Sequence, residues 1–143
     1  MNRYDQLELN IRHIITTYCG DAIAPEGIFV RRERMVRGRN LSFNPLVEIE
    51  CATTSREPLC DDSDQVSVDV VIKLQTRLVH NANLQEPADR IIAALKAVEN
   101  LNEPIDVGAL NDWTISSAGQ IVGEIEILEL TLTARLIVPE MEV

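Results

Sequence analysis

Apolar side chains recur every three or four residues at the start of the chain: Tyr4, Leu7, Ile11, Ile14 and Tyr18, with Ile15 widening the stripe. Arg3, Asp5, Glu8, Asn10 and Arg12 fall off it. That period fits one face of a helix of about four turns. The helix is expected to end near Cys19-Gly20, because glycine tolerates the left-handed closing conformation and Asp21 and Pro25 discourage continuation. A second helical stripe, Ala88, Ile91, Ile92, Leu95 and Val98, follows Pro87, a residue suited to a first turn, and runs to about Asn100.

Elsewhere the period is two. From Val66 to Val79 the residues Val66, Val68, Val70, Ile72, Leu74, Thr76 and Leu78 alternate with a more polar set, predicting a long strand with one buried face. An edge of that length invites pairing with another chain. Residues 28–36 and Leu46 to Ala52 read as two more strands; Gly38-Arg39-Asn40 between them suggests a hairpin with an arginine-rich tip. The Ser, Thr, Pro and Asp content from Thr53 to Gln65, with Glu57, Asp61, Asp62 and Asp64, predicts a solvated loop. Asn102 to Asn111 is a connection, and Trp113 to Ser117 a short strand turning at Ala118-Gly119. In the last strand, Gly123 to Val138, the apolar parity switches at Ile127-Leu128. Such a switch needs either a β-bulge or a strand whose two halves pack against different things, a foreign surface among them.

The elements predict one α+β domain over residues 1–143, in the order α-β-β-β-α-β-β: an antiparallel, at most mixed, sheet of about four to five strands with two helices packed on one face. Aromatic residues are scarce, so Val, Ile and Leu must build the core. No apolar run is long enough to span a membrane, and no leader pattern stands at the N-terminus. The odd number of cysteines, Cys19, Cys51 and Cys60, without a CxxC pair, points to a reducing compartment.

Charge is unevenly placed within the net −10. Residues 1–60 hold eight acidic and eight basic side chains, and residues 61–143 hold fifteen acidic and five basic. An acidic field of this kind opposes adhesion to nucleic acid. No catalytic, cofactor or metal residues can be nominated: His13 and His80 lack a nucleophile-and-base context, Asp61-Asp62-Ser63-Asp64 lacks the glycine and distal glutamate of a calcium loop, and the cysteine spacing fits no zinc site. No glycine-rich loop joins a strand to a helix. The candidate interface residues are Arg31, Arg32, Arg34, Arg37 and Arg39, five guanidinium groups able to grip phosphates or the acidic face of a neighbouring subunit. No aromatics interleave with them to stack bases, which favours a protein partner.

The helix Tyr4 to Tyr18, the strand VSVDVVIKLQTRLV, the helix EPADRIIAALKAV and the closing strand EIEILELTLTARLIV resemble, in order and size, the tail terminator family of long-tailed bacteriophages and the related tail-completion and neck subunits. The resemblance spans nearly the whole chain. It implies a virion protein without enzymatic activity or cofactor, assembled in the host cytoplasm. Such a protein forms a homo-oligomeric ring, typically a hexamer, caps the tail tube protein and meets the head connector or neck proteins, while DNA passes through unbound. A small α+β dimeric ligand-binding or regulatory module, using the sheet face as its pocket, is the other function class compatible with the pattern.

Overall fold

The computed structural model describes residues 2–30, 45–60, 62–80, 83–98, 101–109 and 113–139. Helix α1, Arg3–Cys19, is followed by strands β1 (Ile28–Val30), β2 (Leu46–Cys60) and β3 (Ser63–Arg77), helix α2 (Gln85–Ala97) and strands β4 (Thr114–Val122) and β5 (Ile125–Pro139). The strands form one sheet in the order β1-β2-β3-β5-β4. All neighbours are antiparallel except β1 and β2. The expected α+β class and element order hold.

Local sequence explains the helix limits. The Asn2 side chain caps α1 by accepting from the Asp5 backbone N–H at 2.9 Å, satisfying one of the first-turn donors. The helix ends where expected, but Gly20 keeps right-handed dihedrals (φ −62°). The Cys19 carbonyl instead accepts from Ala22 and Ile23. In α2 the Asn83 side chain accepts from the Gln85 N–H, and the helix stops at Ala97, before the expected Asn100.

One face of the sheet carries the core. Val47, Ile49 and Cys51 of β2, Val66 through Leu74 at even positions of β3, and Leu130 through Val138 at even positions of β5 bury against Leu7, Ile11, Ile14 and Ile15 of α1 and Ala88, Ile91 and Leu95 of α2. Each large aliphatic side chain so buried contributes about 1.5–3 kcal/mol. Tyr18, assigned to the apolar stripe by its spacing, lies 54% exposed, and Cys19 takes the buried place beside it.

Several strand expectations are corrected. Parallel β1 and β2 cannot be the two arms of a hairpin. The solvated loop expected over 53–65 is a β-ribbon: β2 runs to Cys60 and pairs with β3 from Ser63 onward. Its residues 52–58 are exposed, so no apolar alternation was available to reveal it. Of the two explanations open for the parity switch in the last strand, the bulge is not found there; the register shifts lie in β2, between Thr53 and Ser55 and between Pro58 and Cys60. The register of β5 is unbroken on both sides. Ile127 simply faces away from the helices, where it lies beside Gln75 and is buried by the chain's own packing. β4 does not turn at Ala118-Gly119 but continues to Val122, and the turn is Gly123-Glu124, with Gly123 at φ +61°. Long β3 is an interior strand, flanked by β2 and β5 along its length, so it offers no edge.

Candidate functional site

Arg31, Arg32, Arg34, Arg37 and Arg39 lie outside the described residues, as do Asp61 and the side chain of Cys60. His13 and His80 are exposed on separate elements. Cys19 and Cys51 are core residues, and burial pushes the Cys19 thiol up from its ordinary value, so it is protonated and slow to react at neutral pH. Among the described residues no group of carboxylates, cysteines and histidines is placed to hold a metal ion, and no helix is long and apolar enough to cross a membrane.

Surfaces remain as the functional material. The sheet face turned away from the helices has a shallow depression of about 400 Å³, lined by Glu48, Glu50, Ala52 and Thr54 of β2, Asp69, Val71 and Lys73 of β3 and Glu129 of β5. Period-two alternation puts these polar residues on one side because their neighbours fill the core. Within it Lys73 Nζ stands 3.7 Å from a Glu129 oxygen, Thr133 donates to Asp69 at 2.7 Å, and Gln75 donates to the nearly buried Glu48. Four carboxylates with one lysine leave this face acidic.

The second surface is the sheet edge at β4. Eight of its nine residues are exposed, and Thr114–Val122, TISSAGQIV, contains neither a charged residue nor a proline. Natural edge strands are commonly blunted by charge or proline. The exposed part of β2 follows that rule, carrying Arg56, Glu57 and Pro58. Arg56 there also pairs with Asp64 at 2.5 Å. At one end of β4 Ile121 (64%) and Val122 (54%) are exposed, and the turn that follows is tied to the end of β3 by the Leu78 N–H, which donates to the Glu124 carbonyl at 2.8 Å. Sequence reading missed this edge by placing a turn at Gly119. The signal available was the nine-residue absence of charge in a strongly charged chain.

An ion pair ties α2 to the turn after α1: Arg90 Nη1 lies 2.7 Å from Asp21 Oδ2. The hydrogen bond from Arg90 holds the Asp21 carboxyl below the usual carboxylate range. Its contribution to stability is therefore present above the unfolded-state value, and is lost as pH falls through the lowered folded-state one. Both groups are solvent-exposed, so that contribution is small. An NMR titration should find Asp21 protonating at lower pH than an ordinary aspartate, and Arg90→Ala should move it back up.

Neither a protein-family model nor a curated protein sequence matches the chain.

Proposed function

We propose that the protein is a structural virion subunit, a ring-forming tail terminator that caps the tail tube of a long-tailed phage and joins it to the head connector. The observation that carries this reading is the uncharged, exposed β4 edge on a sheet whose helices all lie on the other flank of the core. Main-chain groups along such an edge can extend a sheet into a neighbouring protein without any reacting group. The α-β-β-β-α-β-β order supports the resemblance to tail terminators. The acidic face repels phosphates, as a surface beside passing DNA must. In this reading Arg31, Arg32, Arg34, Arg37 and Arg39 make charge-assisted contacts to a neighbouring subunit or to the tube.

Electron microscopy of purified protein mixed with tail tubes tests it. Rings at tube ends are the expected result, and bare ends would overturn the proposal. Reversing the five arginines to glutamate should abolish capping while leaving the far-UV circular dichroism unchanged. A runner-up reading, a small ligand-binding or regulatory module, has the 400 Å³ depression in its favour. Its mark would be a cationic small molecule co-purifying with the protein and lost on Glu50→Gln plus Glu129→Gln.

A further inference from the structure

The β4 sequence is self-complementary when reversed. Around Ala118, antiparallel pairing with an identical strand places Ile115 opposite Ile121, Thr114 opposite Val122, Ser116 opposite Gln120 and Ser117 opposite Gly119. Apolar meets apolar, polar or small meets the same, and no charge opposes a like charge.

Backbone polarity agrees with this register. The two-residue turn Gly123-Glu124 closes on the pair Val122 and Ile125. A turn of that length closes on a hydrogen-bonded pair, so Val122, Gln120, Ala118, Ser116 and Thr114 bond to β5. Ile121, Gly119, Ser117 and Ile115 therefore direct their N–H and C=O groups outward. These four are the residues that the pairing about Ala118 sets opposite one another, giving about eight new backbone hydrogen bonds. A slip of one residue would put outward groups opposite inward ones.

We propose that in the free protein β4 pairs antiparallel with β4 of a second copy, about a two-fold axis through Ala118, joining the two sheets edge to edge. Such a contact is isologous and closes on itself, so it stops at the dimer. It covers Ile121 and Val122, which the single chain leaves more than half exposed. A strip one strand wide is at the small end of stable interfaces, so the dimer is weak, with a dissociation constant expected on the order of 10 μM or above. A contact that weak yields the edge by mass action when a tail or another partner competes for it. The inference uses the same β4 edge as the proposed function but needs no tail tube, so self-pairing is read by sedimentation and capping by microscopy, and either can fail without the other.

Each subunit carries a net charge of −10, and no ion pair crosses the proposed contact, so added salt relieves repulsion. Sedimentation velocity of the full chain should detect a monomer–dimer equilibrium that tightens about threefold to tenfold between low and moderate salt. Contacts made by the arginine run would weaken instead. Ser117→Pro removes one outward N–H without touching the β4–β5 ladder, and should sediment as a monomer with unchanged circular dichroism. Ala118 faces its own symmetry mate, so Ala118→Glu and Ala118→Lys should each be monomeric alone and associate when mixed. A wild-type protein monomeric up to several hundred micromolar would overturn the proposal. So would a dimer that persists in Ala118→Glu, or a failure of the mixed variants to associate.

Discussion

Replacing Asn10 by alanine should lower the folding free energy by about 3 kcal/mol, a shift of roughly 10 °C in Tm, with equilibrium urea unfolding as the measurement. Asn10 is fully buried on α1, and every part of its amide is used. Its Nδ2 donates to the carbonyls of Leu101 (2.9 Å) and Ile105 (2.6 Å), and its Oδ1 accepts from the Ile105 N–H at 3.1 Å. These bonds fasten the connection at 101–109 to a helix nearly a hundred residues away in sequence. Alanine would strand the buried Leu101 carbonyl, where an unsatisfied group costs about 1–3 kcal/mol, and would leave the part-buried Ile105 carbonyl and N–H without their partner at a smaller cost each. Leu101 adds to the load, since it holds φ +57°, a conformation costing an ordinary side chain about 1–2 kcal/mol, while burying its side chain completely. Asn10→Asp should be worse at neutral pH, its carboxylate facing two carbonyl oxygens. That variant should recover as pH falls, because the folded-state carboxyl is raised above its unfolded value and protonation restores a donor. Equal stability of Asn10→Ala and wild type would mean that the clasp does not hold the connection.

Asn10 also marks where sequence reading reached its limit. Asn10 and Glu8 fall off the apolar stripe, which gives no sign of burial, yet both are buried. Glu8 accepts from the Cys51 N–H of β2 at 2.9 Å. Hydropathy identifies what can be buried by transfer from water, and cannot identify a polar group whose burial is compensated by partners 43 or 95 residues away. Both helices and the cores of β3 and β5 were legible because their periodicity is a direct record of one-sided burial. Residues 52–58 of β2, and β4, were not, because strands exposed on both faces alternate nothing. The same cause hid the candidate surface: β4 carries its information in backbone geometry and in missing charge. The arginine run was legible as composition, but composition says nothing of what those side chains meet.

A methyl group at Gly108 should be nearly as damaging as the loss of Asn10, about 3 kcal/mol, whereas the same change at two other glycines should be mild. Gly108 holds φ +75°, which costs alanine about 1 kcal/mol by itself. A Cβ there would also stand 2.8 Å from the Ile137 carbonyl oxygen, a backbone atom that cannot rotate away. The crowding is part of the fold's design: the Gly108 carbonyl accepts from the Ile137 N–H at 3.1 Å, and Ala109 bridges Leu136. This short contact covers the edge of β5 beyond Thr133, where pairing with β4 ends. Pushing the two backbones apart would break that cover and present a second open edge, so Gly108→Ala should also aggregate more readily on warming. Gly123 shares the left-handed dihedral, at φ +61°, but nothing lies within 4 Å of its added carbon. Gly123→Ala should therefore lose only about 1 kcal/mol. At Gly119 the dihedral is ordinary and the nearest atom, Leu128 Cδ1, is 3.6 Å off, so the change there should stay within about 0.5 kcal/mol. Urea unfolding of the three variants separates dihedral strain from steric clash. Should Gly108→Ala prove no worse than Gly123→Ala, the close approach to β5 is not what holds the connection in place.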